Sequence, residues 1–320
     1  ALDGILPRRD DVYLKVADLL LASLPSSERA ALEKSRSFGN LANWRASAEA
    51  ASDGLAHNAT SLPLWRLKAA AYKSLGEHEE VAKACESVLR IDPRDKGACL
   101  DRGEALFELA RFGDALEAYN ALLTLDPSHA FAATRRGQSL QKLSRHREAV
   151  EAFDKVLAKD KENVLAHRLK AESLAAQGQR QGAVAEMDVA IGIDPKNVKL
   201  WLYKASLHQQ AGESEPARRC LAKAIEIEPT NAEALSQRAS LLLSRGLARD
   251  ALGDLDALTR AHRDRAEGWL LFAEALESVS RIDDARAALA HALALNEKDL
   301  AALRQAASLE VRAGRPLEAA

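Results

Sequence analysis

Small and apolar residues return along this chain every 34 residues. Residues 62, 96, 130, 164, 198, 232, 266 and 300 serve as the first positions of successive repeats. The eighth position then reads Ala69, Gly103, Gly137, Ala171, Ala205, Ala239, Ala273 and Ala307. The twentieth reads Val81 followed by Ala115, Ala149, Ala183, Ala217, Ala251, Ala285 and Ala319. Large residues recur at the fourth position (Trp65, Trp201, Leu235, Trp269), the eleventh (Tyr72, Leu106, Leu140) and the twenty-fourth (Tyr119, Phe153, Met187, Leu221). On a helix, positions four, eight and eleven fall within about 60° and form one apolar stripe. Positions 20, 24, 27 and 28 form a second. Between them the fifteenth position holds Gly76, Gly178, Gly212, Gly246 and Gly314, a residue that accepts the left-handed backbone beyond a helix end. Each repeat is therefore predicted to be a helix, a tight turn and a second helix. Pro93, Pro127, Pro195 and Pro229 stop the second helix and open the next repeat.

Composition narrows the picture. Aromatic residues supply only 4% of a chain that is 47% hydrophobic, so the core is built from Ala, Leu, Val and Ile. The net charge of −2 gives no general attraction to nucleic acid or acidic membranes. Cys85, Cys99 and Cys220 are too few for a disulfide framework and suggest a reducing, cytoplasmic setting. No segment has the length of a membrane span or the pattern of a signal peptide.

A 34-residue helix–turn–helix with these residues at these positions resembles the tetratricopeptide repeat. The resemblance covers 62–320, and a weaker repeat fits 28–61 with Phe38 and Leu55 in apolar positions. It implies an all-α fold, a right-handed α-solenoid of stacked antiparallel hairpins. Repeat 164–197 follows Lys161 and repeat 266–299 follows Arg263 where proline is usual, yet the period holds. Residues 1–27 are expected to supply a capping helix, and 28–320 the array with a truncated last repeat. Because 315–320 reach only the start of a second helix, the sequence is expected to be a piece of a longer chain, with fraying at Pro316–Ala320.

By the same resemblance, positions 2, 5, 9, 12 and 13 line a concave groove, which agrees with their lying away from the apolar stripe. The candidate groove residues are Arg66, Lys73, Leu100, Glu104, Phe107, Phe131, Thr134, Gln138, Arg168, Leu202, Gln209, Leu243 and Glu274. Leu100, Phe107, Phe131, Leu202 and Leu243 are expected to be free of packing duties and to form an apolar footprint for a partner. Arg36, Arg66, Lys73, Lys142 and Arg168 stand toward the first half, and Glu267, Glu274 and Glu277 toward the last. That grading suggests a bound segment whose acidic end meets the early repeats.

The seventh position reads Lys68, Arg102, Arg136, Lys170, Lys204 and Arg238. Its place at the edge of the packed face favours structural pairing with the acids that close preceding repeats, Asp92, Asp126, Asp160, Asp194 and Glu228, over anion binding. The Lys–Asn clamp of chaperone-tail binders is absent, since Arg66 is followed by Ala70 and Arg168 by Glu172. Metal-ligand pairs, a phosphate loop and a nucleophile elbow are absent too, so no cofactor, metal or catalytic residue is expected. His208, in an apolar position, is expected to be a hydrogen-bonded core residue. The expected function is a non-catalytic scaffold that holds a peptide or helix of another protein, without nucleic acid or membrane. Self-association through the array ends, and service as the recruiting domain of a larger enzyme, are the further possibilities.

Overall fold

The computed structural model describes residues 9–23 and 27–312. Eighteen α-helices and no strand occur among them. The chain divides into two compact bodies between Lys161 and Glu162. In the N-terminal body, α1 (Arg9–Ser23) packs on α2 (Glu28–Asn40), which pairs with α3 (Trp44–His57). Next come α4 (Leu62–Leu75) with α5 (His78–Ile91), α6 (Lys96–Glu108) with α7 (Phe112–Leu125), and α8 (Ala130–Lys142) with α9 (His146–Leu157). The C-terminal body continues with α10 (Val164–Ala176) and α11 (Arg180–Ile193), α12 (Val198–Gln210) and α13 (Ser214–Ile227), and α14 (Ala232–Ser244) and α15 (Ala248–Ala261). It ends with α16 (Ala266–Ser278), α17 (Ile282–Leu295) and α18 (Leu300–Arg312). Each body is thus a stack of antiparallel helical hairpins. Every first helix from α4 onward opens on the first position of its repeat. Pro7, Pro25 and the segment Pro316–Ala320, where fraying was expected, lie outside the described residues.

The start of most first helices is fixed by the side chain just before it, α12 and α16 being without such a bond. Asp95 Oδ1 accepts the Ala98 N–H at 2.9 Å, Asn163 Oδ1 that of Ala166 at 2.9 Å, and Asn231 Oδ1 that of Ala234 at 3.0 Å. His129 does the same through Nδ1 to Ala132 at 3.2 Å. Each bond satisfies one amide that the helix itself leaves unpaired. Three tryptophans tie the preceding connection to the helix: the indole N–H groups of Trp65, Trp201 and Trp269 donate to the carbonyls of Ala59, Pro195 and Arg263.

The turn between paired helices reverses the chain through a left-handed residue at the fifteenth position. Glycine occupies it at 76, 178, 212 and 246, with φ between 72° and 76°. Ala42, Ala110, Ser144 and Ser280 adopt the same geometry, with φ from 56° to 63°. The small eighth position is explained by contact with the twenty-fourth. A Cβ on Gly103 would lie 2.7 Å from the Tyr119 ring, and one on Gly137 would lie 2.4 Å from that of Phe153. Both rings are fully buried. Where the twenty-fourth residue is thinner, as in Met187, Leu221, Leu255 and Leu289, the eighth is alanine.

Candidate functional site

The wall formed by the first helices is held by charge pairs within the chain. Arg66 reaches from α4 to the capping Asp95 of α6, with Nε at 2.7 Å from Oδ2. Lys73 donates to Asp101 at 2.6 Å and to Glu104 at 3.1 Å. The hydrogen bond that Lys73 donates to Asp101 is the main cause of its raised pKa. Arg36 lies 3.4 Å from Glu33, and Arg168 pairs with Glu172. The cations expected to read an acidic segment are thus largely engaged by neighbouring acids. Glu274 is exposed, and Glu277 pairs with Arg312 at 2.7 Å.

The apolar positions divide differently from expectation. Leu202 is only 6% exposed and belongs to a cluster with Val198, Ala205, Cys220, Leu221 and Ala234. Leu100 and Phe107 are half-buried against the core around Leu106, and Leu243 against that around Leu242. The fifth and twelfth positions border the contact between adjacent hairpins, so the neighbouring repeat covers what a single helix would leave open. Thr134 is buried, and its hydroxyl donates to the Ala130 carbonyl at 3.0 Å. Phe131 is 44% exposed. Gln138 and Gln209 are half-buried on the wall.

The sixth position lies outside the expected groove set but shares its face. Its residues sit between positions two, nine and thirteen on the same face, at spacings of four, three and seven residues. In the N-terminal body it is Arg135, whose guanidinium lies 4.7 Å from the Phe107 ring centre and 5.3 Å from that of Phe131. Phe107 also meets the edge of Phe112 at 5.2 Å. Beneath this cluster, the fully buried Tyr119 carries a hydroxyl with no hydrogen-bond partner. In the C-terminal body the sixth position supplies Tyr203 and Gln237 to an open pocket of 480 Å³. Arg168, Lys199, Leu202, Ser206 and Glu233 complete its lining, so three successive first helices, α10, α12 and α14, contribute. Partial burial and the nearby Glu172 push the Tyr203 phenol up to about 12, against a smaller opposite pull from Arg168. Tyr203 is therefore a neutral hydrogen-bonding group at neutral pH. Gln237 donates to Glu233 at 3.1 Å, while its buried Oε1 has no partner.

Three of the seventh-position cations, Lys170, Lys204 and Arg238, are paired, but with acids other than those expected. Lys170 meets Glu186 at 2.6 Å, Lys204 pairs with Asp188, and Arg238 grips Asp254 with Nε at 2.7 Å from Oδ2. Glu186 and Asp254 occupy the twenty-third position of the same hairpin, which faces the seventh across the helix pair. Lys68 instead lies 5.2 Å from the Trp65 ring centre. The repeat-closing acids serve the loops and first helices: Asp126 accepts from Ser128 and from Lys96, and Glu228 from Asn231. His208 is half-buried, with Nδ1 2.6 Å from Glu213. All three cysteines are free and buried, and burial pushes Cys85 up to about 12. Among the described residues, no group of three His, Cys, Asp or Glu side chains could hold a metal, and no helix is long and apolar enough to cross a membrane.

Models of the tetratricopeptide repeat match residues 82–130, 134–198 and 174–241. The chain carries tetratricopeptide repeats. No curated protein matches its sequence. The tetratricopeptide fold is shared with a repeat protein from Parabacteroides merdae at 20% identity and a TM-score of 0.55, covering 78% of this chain and 98% of that one. The C-terminal part of a repeat-containing protein from Cytophaga hutchinsonii is 14% identical with a TM-score of 0.64, covering 75% and 98%. YrrB, a tetratricopeptide protein with an unusual peptide-binding site, is 19% identical with a TM-score of 0.50, covering 60% and 98%. A tetratricopeptide architecture supports a scaffold for protein–protein contacts.

Proposed function

We propose that the first-helix wall holds an extended or helical segment of a partner protein, without catalysis by the repeats themselves. The observation that carries this reading is the 480 Å³ pocket on α10, α12 and α14. Its apolar floor at Leu202 is ringed by a phenol, an amide, a hydroxyl and charges of both signs. That is the make-up of a site that orients a peptide by hydrogen bonds while burying an apolar anchor. Rigid hairpins preset the wall, so little ordering entropy is lost by the scaffold on binding.

Ser206→Trp tests the reading. The indole fills the pocket from the wall side, where Ser206 is half-buried. Retention of partner segments by the whole chain should fall at least about tenfold, as expected when one central pocket carries much of the affinity. The thermal midpoint should stay near that of the unsubstituted protein. Unchanged binding by a folded Ser206→Trp protein would place the partner elsewhere.

A further inference from the structure

The hairpin of α12 and α13 breaks a rule that its neighbours keep. In the hairpins before and after it, an acid at the twenty-third position, Glu186 or Asp254, faces the seventh-position cation. Here that position is Cys220, and Lys204 reaches instead to Asp188 on α11. A pocket of 450 Å³ opens between α11, α12 and α13, inside the C-terminal body. Trp201, Lys204 and His208 line it from α12. They stand at positions four, seven and eleven, about 160° around the helix from the wall.

Two of the lining groups are left without partners. The first is the Trp201 ring. Trp65 lies under Lys68 at 5.2 Å, and Trp269 stacks on His291 at 4.5 Å. Trp201 packs beside the cluster around Leu221, and among the described residues no ring or cation covers it. The second is Arg219, exposed on α13 without an acid partner among the described residues. Glu215, one turn earlier, is gripped by Arg218 at 2.6 and 3.0 Å. Asp188 is engaged by Lys204, and Lys223 shares its charge with Glu226 at 2.7 Å. Burial pushes the Cys220 thiol up, so the floor stays uncharged. From Trp201 to His208 the lining spans two turns, about 10 Å. That is the length of a two-ring acid, and too short for more than about three residues of extended peptide.

We propose that this pocket binds a free small molecule that joins a flat aromatic ring to one carboxylate. The ring lies on the open side of Trp201, between the apolar surfaces of Val184 and Pro216. The carboxylate takes the unshared Arg219 fork through two parallel hydrogen bonds. A single free guanidinium beside a half-neutralised lysine matches one negative charge. The site is separate from the first-helix wall and does not depend on what binds there.

Fluorine NMR of the whole chain, with 5-fluorotryptophan at its four tryptophans, tests the assignment. Loss of one signal in Trp201→Phe identifies that residue. Titration with naphthalene-2-carboxylate should shift the Trp201 signal saturably and leave those of Trp44, Trp65 and Trp269 in place. Naphthalene-2-carboxamide, which lacks the charge, and cyclohexanecarboxylate, which lacks the flat ring, should each bind about tenfold more weakly. Arg219→Gln should give a similar loss for the naphthoate, and Lys83→Gln, on the exposed side of α5, none. The absence of a saturable Trp201 shift up to about 10 mM would overturn the proposal, as would equal shifts of all four signals. An amide that binds as tightly as the acid, or an Arg219→Gln protein with unchanged affinity, would overturn it too.

Discussion

At the residue scale, the repeat works by steric pairing and by a few special backbone positions. Four turns place alanine or serine in left-handed geometry, where a side chain costs roughly 1–2 kcal/mol that glycine avoids. Ala110→Gly should therefore stabilise the fold by about 0.5–1 kcal/mol in urea unfolding. Gly76→Ala should lose a similar amount. Gly137→Ala should be far more damaging, by about 1–3 kcal/mol, because the methyl group overlaps the Phe153 ring. Adding Phe153→Leu should recover part of that loss, since leucine meets alanine at the corresponding positions of other repeats. Tyr119→Phe should leave stability unchanged or raise it, because the removed hydroxyl is buried without a partner. The eighth-position column is visible in the sequence, but the reason for glycine within it is not. Only the placed rings show that Gly103 and Gly137 answer to Tyr119 and Phe153.

At the scale of the element, side-chain caps set where most first helices begin. Asp95 combines a cap with an ion pair. Its partial burial favours the neutral acid, but the Ala98 amide and the Arg66 guanidinium outweigh it and hold the carboxyl below its ordinary value. A depressed folded-state pKa contributes stability that is present above the unfolded value and lost as pH falls through the folded one. Stability should accordingly drop on acidification from about pH 4 downward, and Asp95→Asn, which keeps a capping oxygen, should flatten part of that drop in melts across pH. Asn231→Ala should cost about 1 kcal/mol at any pH, since it removes a neutral cap. Helix boundaries were legible because the apolar period holds throughout, with turn glycine and closing proline reinforcing it in about half of the repeats. The pairing of seventh-position cations was harder to read. Sequence spacing pointed to the repeat-closing acids, whereas antiparallel packing sets the seventh position against the twenty-third, and so Arg238 against Asp254.

At the scale of the molecule, repetition turns local rules into a surface. Small residues at fixed positions let hairpins approach, and within each body the same positions in successive first helices line up into a wall. That logic made the helical hairpins readable from periodicity, and their stacking from the family resemblance. The wall's chemistry was less readable, because neighbouring hairpins cover some apolar positions and neighbouring acids engage most of the cations. Leu202 is buried rather than a free anchor, Arg66 braces a helix cap, and the sixth-position residues Tyr203 and Gln237 line the pocket on α10, α12 and α14. The spacing of Lys199, Tyr203 and Ser206 on α12 was the signal that could have exposed this. The central claim is that a partner lies against the first helices. A photo-crosslinking residue placed at Ser206 on α12, and in a separate protein at Lys223 on the second helix α13, tests it most directly. The account predicts that a selected peptide crosslinks from position 206 and is displaced by excess unlabelled peptide, with no such product from position 223. Equal or stronger displaceable crosslinking from 223 would contradict it.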